Sequence, residues 1–356
     1  MNPSSPDRPR IAVDAMGGDF GPQVVVPGAV LAAKRKAYDL FLVGDEARIV
    51  AELNKLDTKG LRVRPVHASQ EVGMSEKPLE AMRKKKDSSI QVACNLVRDG
   101  QADGLISAGN TGAVLACSTF SMGRVEGVDR PGLASILPTE RVPCVLIDAG
   151  ANVDCRPINL LQFGIMADVM SRALLRCPQP RVALLSNGSE EGKGNHLVKE
   201  AFDLFKQCSL HFVGNIEGRD MFAGNVDVVV CDGFVGNVAL KLAEGLASSL
   251  GRLLKGELRR GFFAKVGSAL ALSSLKRFAR LMDYTEYGGA PLLGLEGTVI
   301  VSHGASNAKA IANAVDMAGT LVSMGAAGQL KASLAANKDF VTFSKRPAHA
   351  EEASAQ

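Results

Sequence analysis

Short runs of β-branched and aliphatic residues, each closed by small polar residues, recur along the 356-residue chain. Each run predicts a strand that ends in a glycine-polar loop. The runs cover residues 11–14, 40–43, 105–107, 145–147, 182–185, 212–213, 228–230 and 299–301. They lead in turn into MGGDFGP, GDE, AGNTGA, DAGAN, SNGSEEGKGN, GNIEGRD, CDGFVGN and SHGASN. Helical spacing follows most of them, as over 111–120, 158–175, 237–250 and 307–322. Strands that alternate with helices imply an α/β fold with a mostly parallel sheet covered on both faces. Ligands of such sheets sit beyond the carboxyl ends of the strands, where these loops collect. No Gly/Ser-rich linker interrupts 11–322, so 11–345 reads as a single α/β domain between ends, 1–10 and 346–356, expected to be disordered.

One stretch departs from this rhythm. Residues 246–282 carry eight basic side chains (Arg252, Lys255, Arg259, Arg260, Lys265, Lys276, Arg277, Arg280) and one acid, Glu257, a local +7 in a chain of net +4. Apolar residues, among them Leu250, Leu254, Phe262, Phe263 and Leu270, recur there mostly at three- and four-residue spacing. The pattern makes helices with an apolar stripe and a cationic flank, suited to the headgroup region of an anionic membrane. No apolar run in it is long enough to span a bilayer. Gly256, Gly261 and Gly267 predict two helices with a break, an amphipathic hairpin over 246–283. Core packing with snorkelling Lys and Arg, or a dimer-forming arm, fits the same pattern.

The absence of Trp and the presence of only three Tyr remove the stacking platforms of single-strand nucleic-acid binders. A positive charge held in one segment argues for a local acidic partner, not for nucleic acid. Seven cysteines without a C-x-x-C pair argue against a disulfide framework and against structural zinc, and suit reduced cytoplasmic thiols. Residues 1–10 have no apolar core of a secretory signal.

Several familiar loops are missing. MGGDFGP is not G-x-G-x-x-G, and GSEEGKG has three residues between its first two glycines and ends in Gly, so neither a Rossmann nor a Walker loop is present. Kinase, G-x-S-x-G and H-E-x-x-H patterns are absent too. What remains is a set of loops rich in backbone donors. Gly109, Asn110, Thr111 and Gly112 offer amides, a hydroxyl and the N-terminus of the next helix, a competent anion site. Asn187, Gly188 and Lys193 form a second glycine loop, whose lysine can reach into a cleft. His303 follows a strand and precedes a helix. Each has an ordinary alternative as a strand-capping turn, a solvated lysine or a histidine bonded to loop backbone. Cys155 lacks a neighbouring base and reads as a structural thiol.

The succession DAMGGDFGP (14–22), SEKP (75–78), SAGNTGA (107–113), RPGLASILPT (130–139), DAGANVDC (148–155), SNGSEEGKGN (186–195), GNIEGRD (214–220), CDGFVGNVALK (231–241) and GLEGTVIVSHGASNAKAI (294–311) resembles the bacterial phosphate acyltransferases, the PlsX family. The resemblance implies a three-layer α/β/α fold like that of phosphotransacetylases and isocitrate dehydrogenase-like enzymes, and a homodimer. It implies transfer of a long-chain fatty acyl group from acyl carrier protein to inorganic phosphate, without metal or cofactor. The acyl phosphate would feed phospholipid synthesis through a membrane glycerol-3-phosphate acyltransferase. It also implies a cytoplasmic enzyme attached peripherally to the membrane through the 246–283 hairpin. The expected catalytic residues are Lys193, His303 and Asn110. The phosphate ligands are Gly109, Asn110, Thr111, Gly112, Asn187 and Gly188, and the substrate contacts are Asp14, Gly17, Gly18, Asp232, Gly233, Gly236 and Asn237. An acidic carrier suits the basic run 83–86 or part of 252–280. Two other classes fit the same loops: a coenzyme A or NAD-dependent small-molecule enzyme on this fold, and a catalytically silent membrane scaffold.

Overall fold

The structure, a computed structural model, describes residues 8–281 and 284–337. Its strands are β1 (Arg10–Asp14), β2 (Asp39–Gly44), β3 (Arg62–His67), β4 (Gly104–Ser107), β5 (Gly132–Leu137), β6 (Cys144–Ile147), β7 (Val182–Leu185), β8 (Phe212–Ile216), β9 (Val228–Val230), β10 (Ala290–Leu293) and β11 (Thr298–Val301). They form one sheet in the order β3-β2-β1-β4-β11-β10-β5-β6-β9-β7-β8. All eight runs read from the sequence are strands. Three strands are additional: β3, an edge strand carrying Pro65 and two arginines, and β5 and β10, which open on Gly and Ala. β10 pairs antiparallel with β11 and β5, and β5 antiparallel with β6, while the pairs on either side are parallel. Three successive reversals make the two parallel halves run in opposite directions.

The helices are α1 (Pro22–Arg35), α2 (Glu46–Leu53), α3 (Pro78–Lys84), α4 (Ser89–Arg98), α5 (Thr111–Met122), α6 (Pro157–Met170), α7 (His196–Gln207), α8 (Gly233–Glu257), α9 (Gly261–Leu270), α10 (Leu272–Leu281), α11 (Ala308–Ser323) and α12 (Ala326–Ala336). Strand side chains alternate between two cores. Ile11, Val13, Leu40 and Leu42 enter one, whereas Ala12, Phe41 and Val43 enter the other. With both faces buried, the alternation leaves continuous apolar runs in the sequence. α1, α6, α7, α11 and α12 cover the first face, α3, α4 and α5 the second. α1 crosses α11 closely because residue 28 is glycine: a Cβ there would lie 2.6 Å from Cβ of Ile311. The stretch 157–175 is long and apolar enough to cross a membrane, yet most of it is buried against the sheet.

The basic segment stands clear of these layers. α8 is a single helix of 25 residues, about 37 Å long at ~1.5 Å per residue. Only Gly233 and Gly236 of it are buried, and α9 and α10 bury nothing. The expected two helices are three. Gly256 and Gly267 lie inside helices, and the break falls at 258–260, where Gly261 supplies the positive φ of 73° that the turn needs. β1 begins at Arg10, inside the end expected to be disordered, and is held by Arg10–Asp103 at 2.5 Å. Residues 1–7 and the expected tail 346–356 lie outside the described residues.

Candidate active site

Each loop singled out in the sequence leaves the carboxyl end of a strand, and in several the first Asn or Asp closes the following helix. Oδ1 of Asn110 accepts the Ala113 N–H at 3.1 Å, Asn195 that of Val198 at 2.9 Å, Asp232 that of Val235 at 2.9 Å and Asn307 that of Ala310 at 2.9 Å. Such caps satisfy one of the N–H groups that a helix start leaves without an acceptor. On α5 the N–H groups of Thr111 and Gly112 stay unpaired among the described residues, as does the Thr111 hydroxyl.

Asn110, expected to be catalytic and to bind phosphate, is engaged at both ends of its amide. Nδ2 donates to the carbonyls of Met74 at 2.9 Å and Glu76 at 3.0 Å, fixing the loop before α3. Asp14, Gly17 and Gly18, the expected substrate contacts of the first loop, are correspondingly turned inward. The Asp14 carboxylate is buried, accepts Ser107 Oγ at 2.6 Å, and lies so close under Gly17 that a Cβ there would be 2.8 Å from Oδ2. Burial pushes this carboxyl above the ordinary range, and the bonds from Ser107 and Ser89 pull it back. Gly109 donates its N–H to Ser107 Oγ at 3.0 Å, within the loop.

In the other half, Asp148 ties the DAGAN turn together. It is fully buried and accepts N–H groups from Leu133, Gly150, Ala151 and Asn152, and the Asn152 side-chain amide, at 2.7–3.2 Å. Burial raises its pKa and these donors oppose the rise. The start of α8 presses on this turn. Gly233 donates its N–H to the Asn152 carbonyl at 2.8 Å, and a Cβ at Gly236 would run into the Asp148 carbonyl oxygen. Asp232, Gly233 and Gly236 therefore seat α8 against this turn. Asn237 differs. It is exposed, lies against Gly150, and its amide has no hydrogen bond among the described residues.

On the loop after β7, Oδ1 of Asn187 accepts the Gly194 N–H at 2.9 Å, and Gly188 lies under the Lys193 stem. Asn187 and Gly188, expected at phosphate, shape the loop that exposes Lys193, whose ammonium has no ion pair or hydrogen bond among the described residues. β9 separates β7 from β6, so this loop and the Asp148 turn are two strand spacings apart, about 10 Å. His303 is exposed on the loop after β11, with the Ala305 N–H donated to its Nδ1 at 3.1 Å. Lys193, His303 and Asn110 thus stand on separate loops of oppositely running halves and do not form one cluster.

What the fold does bring together is a cavity of about 150 Å³. Its rim is Thr111 and Gly112 of α5 facing Gly150 and Ala151 of the other half; its floor is Leu133, Leu292 and Val301 of three adjacent strands, with Leu115 at the side. Asn237 stands beside the rim at Gly150. Unpaired N–H donors, a hydroxyl and an amide therefore meet over an apolar floor. Two of the three floor residues have no strand signal, because Leu133 and Leu292 lie in β5 and β10, which the pattern does not predict. Cys155 is no rival nucleophile: burial pushes its thiol up to about 11. Among the described residues no group of three His, Cys, Asp or Glu is placed to hold a metal ion.

The chain is also similar to known proteins. The model of the family described as fatty acid synthesis protein matches residues 9–329. The phosphate acyltransferase of Oleidesulfovibrio alaskensis is 61% identical over 338 residues, 95% of this chain and 97% of that protein. That of Nitratidesulfovibrio vulgaris is 58% identical over 336 residues, 94% and 97% of the two chains. Among solved structures, a phosphotransacetylase from Streptococcus pyogenes superposes with a TM-score of 0.61 at 17% identity, covering 88% of this chain and 94% of its own. A branched-chain phosphotransacylase from Enterococcus faecalis gives 0.54 at 17% identity, covering 88% and 99%. At that identity the structures establish the fold, the three-layer arrangement of phosphotransacetylases.

Proposed function

Because this chain belongs to the fatty acid synthesis protein family and is an acyltransferase of the phosphate acyltransferase kind, we propose that it moves a long-chain acyl group from acyl carrier protein to inorganic phosphate. The acyl phosphate then serves phospholipid synthesis at the membrane. The observation that carries this reading is the cavity whose rim holds unpaired donors above an apolar floor.

The reaction needs little more than that arrangement. Phosphate near neutral pH is partly dianionic, so positioning and desolvation matter more than a strong base. In this reading the N–H groups of Thr111 and Gly112 and the Thr111 hydroxyl hold phosphate at the α5 N-terminus, and Lys193 supplies positive charge from the loop after β7, about 10 Å beyond the Asp148 turn. A phosphate oxygen attacks the thioester carbonyl carbon and forms the new C–O bond. The carbonyl oxygen becomes an oxyanion for which the Asn237 amide is the available donor, a contact worth about 3 kcal/mol. The C–S bond then breaks and the thiolate leaves with the carrier.

The surroundings suit a carrier donor. Pro78 of α3 packs on Gly112, where a Cβ would lie 2.5 Å from Pro78 Cγ, so the basic run 83–86 is next to the rim. Lys84 pairs with Glu80 at 3.2 Å and Lys85 with Glu76 at 2.5 Å, whereas Arg83 and Lys86 have no carboxylate partner among the described residues and can meet an acidic surface. The exposed apolar side chains of α8–α10 suit peripheral contact with an anionic membrane. A homodimer in the cytoplasm completes the reading.

Purified protein, palmitoyl-acyl carrier protein and phosphate should yield free carrier and acyl phosphate, unaffected by chelator. Palmitoyl-coenzyme A as the better donor, or release without phosphate, would reject the assignment. Lys193→Ala and Asn237→Ala should each lower turnover tenfold or more at unchanged melting temperature; near-wild-type rates in both would remove the proposed roles.

A further inference from the structure

The cavity under the rim is more than a place for a carbonyl. Leu133, Leu292 and Val301 are neighbours on β5, β10 and β11, the antiparallel centre of the sheet, and all three are buried beneath it. Leu115 and Ala151 complete the walls, and most of the lining surface is apolar. Glycine at 112 and 150 and alanine at 151 leave the space open. A void of about 150 Å³ lined in this way offers water too few partners and takes up an apolar group of about six carbons.

We propose that this cavity is the acyl subsite: it takes the first carbons of the fatty acyl chain, carbonyl at the rim, and Leu115, Leu133 and Ala151 set which chains react. The inference rests on the acyl-transfer reading above and names the part of that site which selects the acyl group. A straight chain fits between the strand floor and α5, whereas bulk next to the carbonyl meets Ala151 and Gly112. Attack by the phosphate oxygen and departure of the thiolate both occur at the rim, so the chain keeps its place as the C–O bond forms and the C–S bond breaks.

Two measurements test this on the full chain. In the first, kcat/KM is compared for acetyl- and palmitoyl-acyl carrier protein in wild type, Ala151→Leu and Leu115→Phe, with melting temperature as the fold control. The expected result is a loss on the palmitoyl donor at least tenfold larger than any loss on the acetyl donor. Equal losses on both donors, or a palmitoyl rate within twofold of wild type in both folded variants, would overturn the subsite. The second uses wild type only, so it stands if the variants fail to fold. A palmitoyl donor with a diazirine at the fifth carbon is photolysed in the complex and the labelled peptides are identified. Label on 115, 133 or 292 is expected; label confined to other segments overturns the proposal. If wild type binds the donor and labels these residues but forms no acyl phosphate, the reaction fails and the acyl subsite survives. Turnover with label elsewhere has the reverse meaning.

Discussion

Asn110 and Asn237 each stand within a few residues of a strand's end in a glycine-bearing loop, and the sequence presents them as equals. The structure separates them by hydrogen bonds. Asn110 caps α5 and holds the carbonyls of residues 74 and 76, while Asn237, one turn into α8, has an unused amide. The difference lies in position relative to the helix start: a cap side chain folds back on the N–H groups of its own first turn, and a side chain one turn later points outward. Asn110→Ala should therefore lower stability by about 1 kcal/mol from the cap alone and more from the released loop. Asn110→Asp, which keeps the cap acceptor, should retain most of that stability and still lose the two amide bonds. Thermal melts of both variants check this; equal losses would show that the cap contributes nothing. The residue types at the site are legible in the sequence, but the role of each is not, because any Asn after Gly reads as ligand and as cap alike.

At the scale of elements, an ion pair ties the starts of two strands in the second half of the sheet. Arg181, before β7, donates Nε and Nη2 to Asp227, before β9, at 2.8 and 2.9 Å, and its own N–H to the same carboxylate at 2.8 Å. Burial pushes the Asp227 carboxyl up, but the bonds and charge of Arg181 together outweigh it and hold the pKa below the ordinary value. A depressed folded pKa gives stability that is present above the unfolded carboxylate range and is lost as pH falls through the folded value. Asp227→Asn should cost about 2 kcal/mol near neutral pH. The gap to wild type should be constant from pH 8 to 5 and shrink below about pH 4. Melts across that range decide it, and a gap independent of pH would mean that the carboxylate charge plays no part. The strands flanking this pair are plain in the sequence, since strands buried on both faces read as unbroken aliphatic runs. β3, β5 and β10 are not, because a polar edge and openings on Gly and Ala-Pro erase the pattern.

The molecule as a whole carries an arm that its own core does not use. Phe263 and Leu270 of α9 are 88% and 84% exposed, among flanking Lys and Arg. The proposed membrane contact requires these side chains to enter an anionic surface. Leu254→Glu combined with Phe263→Glu should abolish sedimentation with anionic vesicles while leaving activity on soluble donor within twofold. Unchanged sedimentation would assign the arm to protein contacts instead. The alternation of apolar runs and glycine loops by itself determined the α/β class, because a strand covered on both faces and the turn that ends it impose residue types locally. The charge and spacing of 246–282 likewise determined amphipathic helices. Only the tertiary structure decided that three antiparallel pairings reverse the sheet and bring the start of α5 over a floor of Leu133, Leu292 and Val301 opposite Gly150. Those contacts join residues as far apart in the chain as Thr111 and Val301, and no local pattern encodes a pairing whose partners are chosen by the packing of the whole sheet.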